Sequence, residues 1–115
     1  MKSMDIMQTP DGHYVDLSKI VAIGPTTDIY GGFKEVKGFD IYFTPEGVPF
    51  KEDNCFKITV KKSYDRPPWQ DYKTENGLTE EGRELLRKFS KECDEKTERE
   101  RVDFVNSWKI WKDSQ

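Results

Sequence analysis

His13 is the only histidine in this 115-residue chain, and Cys55 and Cys93 are its only cysteines. A metal site would have to combine one imidazole, two distant thiols and carboxylates. No pair among them has ligand spacing such as C-x₂-C or H-x₃-H, so no metal is expected. A serine or cysteine nucleophile would need His13 as its base, yet no nucleophile elbow surrounds any serine. His13 follows a Pro-Asp-Gly turn on a strand, where an exposed or half-buried polar residue is ordinary. The glycines of Pro25 to Gly38 do not form G-x-G-x-x-G, and Lys34 and Lys37 are not placed as in a P-loop. Ten of the 22 carboxylates fall in the last third of the chain, mixed with bases at i,i+4 (Glu84 with Lys88, Glu95 with Arg99), which describes a solvated helix face. No catalytic residue and no cofactor is expected.

A stronger chemical signal lies between residues 57 and 73. Lys57, Lys61, Lys62 and Arg66 accompany Tyr64, Trp69 and Tyr72, so cations and flat faces occur together. That combination holds single-stranded nucleic acid or a nucleotide-like phosphorylated ligand, with cations on phosphate and rings on bases. Asp65 and Asp71 weaken the phosphate reading. The competing and preferred expectation is that Trp69 folds inward at the junction of sheet and helix, while Pro67 and Pro68 stiffen the connection.

A second candidate surface is Phe104, Trp108 and Trp111, residue types enriched at interface cores. Their significance depends on the elements that carry them. From Thr79 to about Lys112 there is no proline, and Thr79 can cap a helix whose first turn holds Glu80 and Glu81. Leu78, Leu85, Leu86, Phe89, Cys93, Phe104, Trp108 and Trp111 then share one side of a continuous helix. Two steps of that stripe, Thr97 and Glu100, are polar and sit in DEKTERER (94–101). From Leu85 to Trp111 such a helix runs roughly 39 Å, against about 20 Å for an ordinary strand. Its first half is therefore expected on the sheet. Its second half must cross another element, bend back or leave the domain, with Phe104, Trp108 and Trp111 covered either by their own chain or by a second copy.

The preceding residues read as strands. Thr9-Pro10-Asp11-Gly12 and Thr44-Pro45-Glu46-Gly47 repeat one turn signal. Met4 to Gln8 and His13 to Leu17 flank the first, and Asp16 to Lys19 makes a short kink. Ile20 to Ile23 is apolar on both faces and reads as a central strand. Phe39, Ile41 and Phe43 share a face, as do Phe56, Ile58 and Val60, opposite Lys57, Thr59 and Lys61. Pro25 to Gly38 reads as a hairpin turning at Gly31-Gly32.

Composition sets the outer bounds. Charged residues (36%) exceed hydrophobic ones (34%), aromatics reach 13%, and the net charge is −3. This is one folded domain with a small core, and it lacks the basic balance of a whole-surface polyanion binder. No apolar run is long enough for a bilayer and no signal peptide is visible, so no membrane role is expected and a cytoplasmic location with two reduced, buried thiols is. The fold expected is α+β: an antiparallel β-meander of four to five strands over 1–64, a Pro/aromatic connection over 65–77, and a long C-terminal α-helix over 78–113 packed on one face. The expected function is non-catalytic binding of a protein partner, with self-association as a dimer through Phe104, Trp108 and Trp111. The rival is nucleic-acid or nucleotide recognition by residues 57–73.

Overall fold

The structure, a computed structural model, describes residues 5–44 and 57–115. The expectations for Met4, for the Pro45-Glu46-Gly47 turn, for Cys55 and for Phe56 lie outside the described residues. The fold is α+β, with antiparallel strands followed by one long C-terminal helix.

The Thr9–Gly12 turn joins β1 (Ile6–Gln8) to β2 (Tyr14–Asp16), with Met7 opposite Val15. Gly12 takes a φ of 95°, the left-handed conformation that a side chain would strain. The buried Thr9 accepts the His13 N–H on its Oγ1 at 2.9 Å, which closes the turn. Asp16 then accepts from the Ser18 N–H at 2.9 Å and caps a single 3₁₀ turn, Leu17–Lys19, the kink expected there.

The main sheet contains β3 (Ile20–Ile23), β4 (Thr27–Ile29), β5 (Lys34–Phe43) and β6 (Lys57–Asp65). β5 is the spine. β6 pairs along one side of it, while β3 and β4 lie end to end along the other. The central position expected for β3 is therefore corrected. β5 is 10 residues long, so two short strands fit in succession beside it, and Val21 faces solvent at 57% exposure. The β4–β5 hairpin expected here is present, but its turn is centred on Gly32 and Phe33, one residue beyond the Gly31-Gly32 pair read from the sequence. The Lys34 N–H donates to the Gly31 carbonyl at 3.3 Å, and Gly32 takes a φ of 66°. Phe39, Ile41, Phe43 and Val60 line the inner face, whereas Lys57, Lys61 and Ser63 occupy a wet outer face beside Tyr42.

A 3₁₀ turn, Gln70–Tyr72, leads to a small hairpin of β7 (Lys73–Thr74) and β8 (Gly77–Leu78). Thr79 then caps α1 (Glu80–Asp113), accepting from the Gly82 N–H at 3.2 Å. The 34 residues of α1 form one unbroken helix, roughly 51 Å long at about 1.5 Å per residue. They account for the long axis of a molecule measuring 63 × 31 × 18 Å.

α1 meets the main sheet where Ser90 and Asp94 reach Lys37, and its second half goes on to cross another element, β2, one of the courses expected for it. The second half is the half seated over the core. Phe104 is 2% exposed and its ring centroid is 6.5 Å from that of Phe39. Trp108 and Trp111 pack against the same cluster, which includes Val15, Leu17, Ile20 and Phe43. The Trp111 indole N–H donates to Asp5 Oδ1 at 2.8 Å. The first ten residues of the helix instead meet the β7–β8 hairpin, where Gly82 packs so tightly on Tyr72 that a Cβ would lie 2.6 Å from that residue's own Cβ.

Between these ends, DEKTERER is the seam that fastens the helix down. Thr97 is 1% exposed, donates its hydroxyl to the Cys93 carbonyl and meets the Tyr64 hydroxyl at 2.9 Å. Glu98 accepts from the Thr26 hydroxyl at 2.6 Å, and Arg101 Nε donates to the Gly24 carbonyl at 2.6 Å. Thr97, Glu98 and Arg101 of this polar stretch are therefore satisfied where they meet the core, whereas Glu100 keeps a buried Oε2 without a hydrogen-bond partner.

Candidate functional site

The alternation that points Phe39 and Ile41 inward also points Lys37 and Glu35 inward. Lys37 is a lysine on the helix-facing side of the sheet, and it is 1% exposed. Asp28, its cross-strand partner on β4, accepts from its ammonium; Asp94 and the Ser90 hydroxyl of α1 each lie 3.0 Å away, and Glu35 lies at 3.6 Å. Burial alone would lower the pKa of this lysine, but the hydrogen bonds and charges of Asp28 and Asp94 reverse the effect and raise it above the ordinary lysine value.

That charge state decides the chemistry. Ser90 beside Lys37 has the composition of a Ser–Lys dyad, which works only when the lysine is neutral and can take the serine proton. Held cationic by carboxylates, Lys37 is a structural tie between β4, β5 and α1. His13 is 61% exposed, and its Nδ1 meets Asp11 Oδ1 at 2.9 Å rather than a nucleophile. Burial raises the Cys93 thiol pKa, with the Glu35 charge adding to it, so this buried sulfur is protonated and inert. Among the described residues no three His, Cys, Asp or Glu side chains converge to hold a metal ion.

The end of the sheet beyond Lys37 has a different character. Tyr30 precedes the turn and Phe33 sits within it, and they are 96% and 91% exposed. Behind Phe33 runs a groove of about 520 Å³ lined by Lys34, Asp65, Arg66, Pro67, Pro68 and Trp69. Gly31 and Gly32 have no side chains with which to cover the neighbouring rings, and Phe33 is at the apex of the turn, so both aromatics face solvent at the end of the hairpin. Two large exposed rings thus stand at one tip beside a proline-walled groove.

The residues singled out from the sequence separate into three environments. Lys57 Nζ lies 5.9 Å from the centroid of the Tyr42 ring and 3.4 Å from Asp40, on the outer face with Lys61. Lys62 faces α1 and pairs with Glu100 at 3.6 Å, while Tyr64 bonds to Thr97. Arg66 pairs with Glu35 at 3.3 Å and, with the half-buried Trp69, belongs to the tip groove. Tyr72 closes against the first turn of α1. These seven residues do not converge on one face, because alternate residues of β6 point to opposite sides of the sheet. Phe104 is buried and Trp108 and Trp111 are half-buried against their own β layers, so most of this stripe is covered within the chain. Tyr30 and Phe33 were missed. The signal available was their position on either side of Gly31-Gly32, whose lack of side chains leaves neighbouring rings uncovered.

The fold defines an α+β domain with a carboxylate-caged lysine at its centre and an aromatic tip at one end. Set against known proteins, the chain matches no family model, no curated protein and no solved structure. No described helix is long and apolar enough to cross a membrane.

Proposed function

We propose that this protein is a non-catalytic interaction domain that engages a protein partner through the tip formed by Tyr30, Phe33 and the Arg66–Trp69 groove. The observation carrying this reading is the near-complete exposure of two aromatic rings at the end of the β4–β5 hairpin. Rigid aromatic anchors supply contact area at low entropic cost, and such residues dominate binding energy at interfaces. The two rings alone present far less than the roughly 800 Å² per partner of a stable dimer, so the tip suits insertion into a pocket of another protein better than self-pairing. The free, buried Cys93 thiol supports residence in the reducing cytoplasm.

The test is affinity capture from cells with three forms of the chain: native, Tyr30→Ala/Phe33→Ala, and Val21→Ala as an exposed control on the opposite part of the sheet. A partner retained by the native chain and the control but lost by the double variant, and reproduced with purified components, supports the tip. A partner retained equally by all three contradicts it, and a captured oligonucleotide would favour nucleic-acid recognition.

A further inference from the structure

We propose that the flank of this tip, the groove between β4 and α1, receives an extended basic segment of the partner as an added strand. The inference rests on the tip being the contact end of the molecule, and it names the chemistry of what docks beside it.

The pairing pattern leaves β4 with an open edge. Along β5, successive residues direct their backbone groups alternately to one neighbour and the other. The Lys61 N–H donates to Asp11 Oδ2 at 3.1 Å, away from its register partner Gly38. The Asp40 carbonyl accepts from the Gly24 N–H at 2.8 Å, on the β3–β4 side. Gly38 therefore bonds towards Thr27, and Lys37 bonds towards β6. Asp28, opposite Lys37, has its own N–H and C=O turned outward. Among the described residues nothing bonds to them.

These groups face a groove of about 590 Å³ lined by Thr26, Thr27, Asp28, Asp94, Glu95 and Glu98. Four carboxylates lie along it against two cations among the described residues: Lys37 beneath, shared by Asp28 and Asp94, and Arg101 at one end, paired with Glu98. An edge strand beside a helix is the arrangement that takes up peptides by strand addition, with backbone bonds giving affinity and flanking side chains giving selectivity. Here the flanks select lysine and arginine. A second copy of this chain fits poorly. Its own β4 edge would bring four more carboxylates into the groove, and its lysine-bearing β6 already has the Lys61 amide occupied by Asp11.

The full chain, ¹⁵N-labelled, should be titrated with a blocked Lys-Val-Lys-Val-Lys-Val peptide, its Glu-for-Lys counterpart, and a basic version N-methylated at alternate residues. The basic peptide should shift the amides of Asp28, Tyr30 and residues 94–98, and bind at least about tenfold more tightly than either of the others. Glu95→Lys, an exposed helix position, should weaken it by a similar factor. Equal binding of the N-methylated peptide would overturn strand addition, as would no shift at millimolar peptide. Shifts confined to Phe33 and 66–69 would overturn it while leaving the tip as the contact surface; capture that is insensitive to Tyr30 and Phe33, with the peptide still bound at β4, would reject the tip alone.

Discussion

Replacing Lys37 by methionine isolates the charge at the centre of the molecule, because the two side chains have similar length. The ammonium is 1% exposed, and withdrawing it from water costs several kcal/mol. Against that cost stand the contacts to Asp28, Asp94, Ser90 and Glu35. Breaking a buried ion pair usually costs about 3–5 kcal/mol, since the partner is trapped without a counter-ion. Here the partners are not trapped. Asp28 is 80% exposed and Asp94 is 52% exposed, so both can turn to water. Glu35 keeps Arg66 at 3.3 Å. Lys37→Met should therefore lower the unfolding free energy by only about 1–2 kcal/mol at neutral pH. The sign of the pH dependence follows from a folded-state pKa held above 10.5. The stabilisation is fully present below the unfolded value and is lost as pH rises through the folded one. Urea unfolding of both proteins from neutral to alkaline pH should show a constant gap that narrows above pH 10.5. A loss beyond about 4 kcal/mol at neutral pH, or a gap that widens in alkali, would refute the reasoning.

Phe104→Ala removes a 2% exposed ring from the core and should cost about 3–5 kcal/mol in the same assay, whereas Tyr30→Ala and Phe33→Ala should each change stability by less than about 0.5 kcal/mol. Gly38→Ala places a Cβ 2.4 Å from the Val60 carbonyl oxygen and 2.6 Å from Ile29 Cδ1, so a loss of about 1–3 kcal/mol is expected, read as a lowered melting temperature. Asp11 works in the opposite pH direction from Lys37. Burial raises its pKa, but hydrogen bonds from Thr9, His13 and the Lys61 amide outweigh burial and hold it below 3.8. Its contribution is thus present above 3.8 and lost as pH falls through the folded value. Asp11→Asn should flatten the acid limb of the stability curve and speed hydrogen exchange at the Lys61 amide.

The class of fold was legible because its signals are local. The Thr9–Gly12 turn, the kink after Asp16, the glycine hairpin and the Thr79 cap each depend on a few adjacent residues with fixed backbone demands. Which of the courses open to it the second half of α1 takes was not legible, because apolar residues occur in both halves of its stripe. What seats the second half is long-range bonding of Thr97, Glu98 and Arg101, which no periodicity displays. Thr97 counted against burial as a polar residue, yet its hydroxyl satisfies itself on the Cys93 carbonyl four residues back. Lys37 was legible in principle. The inward parity of Phe39 and Ile41 extends two residues back to it, but a lysine ends an apolar pattern even where the strand continues. The edge position of β3 was hidden because residue type alone reports apolar faces and not neighbours. At the tip, Arg66 and Trp69 were singled out as a cation beside a ring, with Trp69 expected to fold inward at the sheet–helix junction, whereas it lies half-buried in the tip groove. The exposure of Tyr30 and Phe33 depends on where the hairpin turn falls, which residue type alone does not give.

The division of the aromatic residues into core and contact surface is tested most directly by hydroxyl-radical footprinting of the dilute native chain, read residue by residue. Tyr30 and Phe33 should be oxidised rapidly and Phe104 should be protected without any partner present. Rapid oxidation of Phe104 together with slow oxidation of Tyr30 and Phe33 would contradict the account.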